Sequence, residues 1–550
     1  MPRTIRTLAR RVPALAAIAT AALLTACGSA GESPSAGGAD AASASAASSG
    51  SGSGSGGRLV IGMTASNVPP LDTVLAGGQG YEGVRFVGNQ LYDGLTRWDL
   101  SQSEAIPKLA PALATSWKAA DGAKSWTFTL RKGVRFTDGT AWNADAAVFN
   151  LRRYTDPDAP GSSAAIVGQA ATLGGGLISG ATATGPYTLK VTLKAPNAHL
   201  PEDVATLFMA SPTAVRKLGA KGFAAKPVGT GPFVLKSVTQ GQQATFVRNP
   251  DYWRGPAKLD ELVLKPVPEP AARLAALRSG AVDWIEYPNP DDLEALRSSG
   301  FQILQNDYDH VWPWVLETTR GPLRDPRVRQ ALNWAIDRDA LAASLLHGSA
   351  DPAVQLLPRA NAAYDAAGDL YGHDPAKAKQ LLAAAGHPDG IDLTVEYPTG
   401  GSGNMIPGPM NEALLKDLAA VGVRVHLKPI EWAAMLAQLG TKMPKGIDAM
   451  NISLTFQSES FWTLAFTPDG PINLGGYRNA EVARLIGQAQ STVDPAERAA
   501  LYRRAAGRIT TDAAWLTVVN DKNPRALAPT VHGFVEPKSW FVDLTSVWVG

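Results

Sequence analysis

One cysteine in 550 residues excludes an internal disulfide and any metal site built on cysteines. The seven histidines, at 199, 310, 347, 373, 387, 426 and 532, never fall within four residues of one another, so no helix carries a zinc-binding pair. No H-E-x-x-H, S-x-x-K, G-x-S-x-G or Gly-Lys phosphate loop occurs. A metalloprotease, a serine β-lactamase and a nucleotide hydrolase of the usual kinds therefore lack their machinery. A hydrolase reading survives only as an unrecognised active site among scattered carboxylates, and neither a cofactor nor a metal is expected. Clusters of lysine and arginine are also missing, and with them the electrostatic footprint of a nucleic-acid binder. Of the 51 basic residues, Arg3, Arg6, Arg10 and Arg11 sit in the leader. Without them 47 face 49 acidic residues, a nearly neutral body. The apolar run Val12–Leu24 is too short for a bilayer, which needs about 20 residues.

What is present begins with that run. A basic start, an apolar core and Leu24-Thr25-Ala26-Cys27 read as a signal peptide over 1–26. Leu three places ahead of a cysteine, with a small residue between, resembles a bacterial lipobox, in which the Cys27 thiol takes a diacylglycerol. That places the protein on the extracytoplasmic face of the cell membrane. The segment 27–57 is almost wholly Gly, Ser and Ala after its cysteine, and it cannot bury enough apolar surface to order itself. As a coil it reaches roughly 30 Å.

The 45% hydrophobic content of the 550 residues supports two or three cores. Arg58–Gly62 reads as a strand, and Val84–Leu95 as a helix closing on Gly94. Trp126, Phe128 and Leu130 alternate with threonines, Arg131-Lys132-Gly133 turns the chain, and Val134 and Phe136 alternate again, which predicts a hairpin feeding a helix capped by Asn143. Gly280, Gly386 and Gly422 each stop a helix. Asn249-Pro250-Asp251 is an Asx-type turn.

The stretch Asn306–Asp339 carries the chain from one lobe to another. His310, Trp312, Trp314 and Leu316 share one face of an extended strand. Pro313 cannot donate to a ladder and points to an edge or crossing position. Asp325-Pro326 then caps a helix. Two large rings at a crossover mark Trp312 and Trp314 as candidate ligand-binding residues, the alternative being packing between the lobes.

The block Trp126–Arg153 resembles the signature region of the family 5 extracellular solute-binding proteins, the peptide/nickel/opine class that serves bacterial ABC importers. The likeness continues through Pro227–Phe233, Arg248–Trp253, Ala276–Asp283, Asp325–Leu332, Asp374–Gly386 and Leu414–Leu427, and so spans nearly all of Leu59–Trp548. It implies an α/β, two-lobe periplasmic-binding-protein-like fold with a hinge. Lobe I would hold 58–100, 226–309 and 516–550, an inserted subdomain 101–225, and lobe II 310–515. It further implies a monomer that closes on a solute and passes it to permease and ATPase subunits. A lipoprotein receptor that senses without import is the alternative. Peptide binders of the family carry a Trp–x–Ala–Asp-like element near this chain's Thr455–Ser460, whose acid takes a peptide ammonium. Phe456 and Glu459 stand there in kind, at an offset longer by about two residues. Glu317 occupies a position where the family more often has Asn. The expected ligand is a peptide or peptide-like compound, ahead of another amine-bearing or glycosidic solute and of a metal chelate.

Overall fold

The computed structural model describes residues 54–73 and 81–550. Cys27 and most of the linker lie outside them.

Two seven-stranded sheets organise the chain. In the first, Arg58–Met63 runs parallel to Glu261–Pro266 on one side and to Trp284–Glu286 on the other. Antiparallel strands Gln243–Arg248 and Phe233–Thr239 extend one edge, and Arg525–Leu527 with Gln302–Leu304 the other. The second sheet runs Ala350–Pro352, Trp515–Asp521, His310–Leu316, Ala449–Asn451, Ile391–Pro398, Val423–Ile430, with Leu454–Thr455 pairing to the start of the third. A separate four-stranded antiparallel sheet, Ala114–Ala120, Ser125–Leu130, Thr188–Leu193 and Ile178–Gly185, builds the inserted part.

Local signals placed most of the boundaries correctly. Asn143 Oδ1 accepts from Ala146 N at 2.9 Å and opens the helix Ala144–Arg153. Asp325 Oδ1 accepts from Arg327 N at 2.8 Å and opens Pro326–Ala335, with proline in the first turn where no N–H is needed. Asn249 Oδ1 accepts from Asp251 N at 3.1 Å. Gly280, Gly386 and Gly422 all take positive φ after helices.

Four expectations are corrected. The helical segments around Val84 end at Leu91 rather than at Gly94. Ser125–Leu130 does not pair with Val134–Phe136. Its neighbours are Ala114–Ala120, through a turn at Asp121–Lys124 with positive φ at three residues, and Thr188–Leu193. Pro313 lies in an interior strand, paired on both sides. The register shifts between Trp312 and Pro313, and that bulge absorbs the missing donor. The strand Trp515–Asp521 pairs with His310–Leu316 and Ala350–Pro352, so it belongs to the second sheet, and the chain rejoins the first only at Arg525.

The chain therefore crosses between the sheets at 305–309 and again at 522–524. Asn306 N donates to Lys522 O at 3.0 Å, tying the crossings together. Beside them Asp521 accepts from Tyr308 Oη at 2.9 Å and from Tyr287 Oη at 3.4 Å, and it also holds His310 Nδ1.

Candidate functional site

A cavity of about 870 Å³ opens between the inserted part and the second sheet. One wall comes from the helix Ala164–Thr172 and the short helix Leu200–Asp203. The facing wall comes from residues 432–440 and 452–472, and Trp98, Trp540 and Phe541 close one end. The volume falls in the range of small-molecule sites, about 300–1,000 Å³.

Aromatic and aliphatic side chains dominate the lining. Trp432 begins the helix Trp432–Leu436, and Gly401 lets the chain pass against it. A Cβ on Gly401 would sit 2.3 Å from Trp432 Cγ, and the backbone there has φ +96°. Gly403 does the same beside Trp540 and His310. Trp432 and Trp540 are both buried, and each indole Nε1 lacks a hydrogen-bond partner. His310 stacks on Tyr308 at 5.0 Å and 11°, and lies 5.1 Å from the Trp540 ring. Asp521 fixes its Nδ1, so the imidazole is held at the hinge edge of the cavity.

At the opposite edge the inserted part is latched to the second lobe. Asp203 accepts from Asn197 Nδ2 at 2.8 Å, Ser458 Oγ at 3.0 Å and Ser460 Oγ at 2.9 Å. Glu202 Oε2 accepts from Glu459 N at 3.1 Å. His199 Nε2 lies 2.6 Å from Tyr502 Oη, and its Nδ1 3.0 Å from Glu459 Oε2. Arg498 pairs with Glu459 and stands 3.6 Å from Glu202. Burial, with the Glu459 charge beside it, pushes the Glu202 carboxyl up to about 7. Burial works in the same direction on Glu459, but His199 and Arg498 outweigh it and hold that carboxyl below its usual range. His199, Glu202 and Glu459 are close enough to share a cation, yet Arg498 already supplies the positive charge there.

Four of the five residues picked from the sequence stand elsewhere. Trp312 and Trp314 are fully buried in a core of Leu316, Val328, Leu332 and Leu414, and Trp314 Nε1 donates to Asn411 Oδ1 at 2.7 Å. Neither lines the cavity. Glu317 is 3% exposed and caps its own turn, accepting from Thr319 N at 2.8 Å and pairing with Arg320 at 3.0 Å. Phe456 lies behind the wall, edge-on to Phe461 at 4.9 Å, and Phe461 is the ring that meets the cavity. Glu459 borders the cavity only through the latch. His310, Glu202, Trp432 and Trp540 went unnoticed in this role. The glycines at 401 and 403 were the one local signal for the loop that seats three of them, Trp432, Trp540 and His310.

A cavity between two α/β lobes joined by paired crossings defines a bilobal solute-binding protein. The family model for bacterial extracellular solute-binding proteins, family 5, matches residues 108–471, and the chain belongs to that family. It is 30% identical over 469 residues to heme-binding protein A of Haemophilus influenzae, covering 81% of this chain and 84% of that protein. The glutathione-binding protein GsiB of Escherichia coli is 29% identical over 463 residues, covering 82% and 86%. The periplasmic binding protein DppA of Helicobacter pylori, solved in complex with the peptide STSA, superposes with a TM-score of 0.79 at 24% identity, covering 90% of this chain and 98% of that one. Members of the family are binding proteins that deliver small solutes to ABC importers. Among the described residues no helix is long and apolar enough to cross a membrane.

Proposed function

We propose that this protein captures an oligopeptide or peptide-like solute in the 870 Å³ cavity by closing its lobes, and presents the closed form to the permease and ATPase subunits of an importer. The observation that carries this reading is the cavity itself, walled by the inserted part and the second lobe, closed at one end by Trp98, Trp540 and Phe541 and flanked at the other by the latch. A solute touching both walls favours the closed arrangement by its differential contacts. The relatives that bind a peptide, heme or glutathione support a solute of this size range. The protein acts as a binder rather than an enzyme, and as a monomer. A thermal-shift screen of a peptide library tests it. A peptide at 100 times its Kd stabilises the protein by about 2.7 kcal/mol. Saturable turnover of an ester or peptide abolished by one point substitution would instead restore the hydrolase reading.

We also propose that Cys27 carries the lipid that holds the protein to the extracytoplasmic face of the membrane, with 28–57 as its tether. Cys27→Ser should lose incorporated fatty acid and move the protein into the medium, since two or three acyl chains are what make such anchoring stable. A wild-type protein already free in the medium would contradict it.

A further inference from the structure

We infer that the captured solute is a largely apolar, peptide-like compound that carries a basic nitrogen and places no free carboxylate in the cavity. This rests on the capture reading above and narrows it.

Among the described lining residues no lysine or arginine occurs, and the acids are Glu202 and Asp203. Asp203 already accepts three hydrogen bonds. Glu202 is less well satisfied, with one backbone N–H at 3.1 Å and a guanidinium at 3.6 Å that it shares with Glu459. The groups facing it are His199 and Asp203 on its own segment, Glu459 ahead of the helix Ser460–Phe466, and Arg498 and Tyr502 on the helix Pro495–Thr511. Arg85 lies 5.0 Å from the Trp540 ring but is held by Glu286 and Glu82. His310, the remaining titratable group of the lining, already faces the Asp521 carboxylate.

A solute carboxylate would thus be stripped of water opposite two acids with no free cation to meet it, the arrangement that costs most in a dry site. An ammonium would meet an under-neutralised carboxylate in a cavity whose remaining lining is mostly aromatic and aliphatic.

The test is titration calorimetry on the full-length protein with matched probes: Leu-Phe-Leu amide, the free acid Leu-Phe-Leu, the N-acetylated amide, phenylbutylamine and phenylbutyrate. The amide and the amine should bind about tenfold or more tightly than their acid partners, and acetylation should remove most of the advantage, as expected for a charge-assisted contact. Phenylbutylamine keeps its charge throughout, so lowering the pH from 8 to 5.5 should weaken it as Glu202 takes up a proton near 7. Glu202→Gln should flatten that profile. An acid that binds as tightly as its amine partner overturns the charge assignment and leaves solute capture intact. Amine binding without any peptide binding overturns the peptide reading and leaves the charge assignment. Silence from every probe overturns both.

Discussion

Trp314→Ala should lower the melting temperature by about 5 °C while leaving solute affinity of the folded protein unchanged. The side chain is fully buried. Truncation opens a void that costs about 3–5 kcal/mol. It also strands Asn411 Oδ1, whose donor is the lost indole N–H. Against a total stability of about 5–15 kcal/mol this is a large fraction. Trp312→Ala should behave in the same way. Phe461→Ala gives the contrast, because its ring meets the cavity: it should weaken binding more than it destabilises. Differential scanning calorimetry and a binding isotherm on the same samples separate the two patterns. A Trp314→Ala protein that melts like wild type and fails to bind would return the tryptophans to the site.

Arg498→Met should shift the lobes toward an open arrangement. Arg498 is 6% exposed and is the cation between Glu202 and Glu459. Its removal leaves two carboxylates facing each other in a partly dry contact. Breaking a buried pair costs about 3–5 kcal/mol, and the partial exposure of Glu459 brings the expectation to about 2–3 kcal/mol. Because the latch joins the inserted part to the second lobe, opening relieves that cost. The closed-to-open ratio should fall about 30-fold to 150-fold, solute affinity should fall with it, and the radius of gyration measured by X-ray scattering should rise. A lower melting temperature with an unchanged radius would mean that the cluster only packs one rigid body.

The correctly placed and the misplaced elements differ in how local their causes are. Caps such as Asp325 and stops such as Gly422 act within four residues, so the chain displays them directly. The face shared by Trp312, Trp314 and Leu316 was also legible. What covers that face was not. The strand His310–Leu316 is buried on both sides, with Val311 and Val315 entering one core and the tryptophans another. Alternation assigns residues to faces but says nothing about which face meets solvent. Pro313 misled because a bulge in an interior strand leaves no mark on composition. The latch was out of reach, since His199 meets Tyr502 across 303 positions. Near 456 the motif gave the neighbourhood but not the residue: the helix Ser460–Phe466 turns Phe461, not Phe456, toward the cavity.

The most direct measurement of whether solute is held between the lobes is a thermal-shift screen of the peptide library on wild type and on Ala433→Trp in parallel. Ala433 lines the cavity and its side chain makes no polar contact, so an indole there occupies the space a solute would take. The account predicts that the library raises the melting temperature of wild type, that Ala433→Trp melts within about 3 °C of it, and that the variant no longer responds. An equal response from both proteins would contradict it and put the binding site elsewhere.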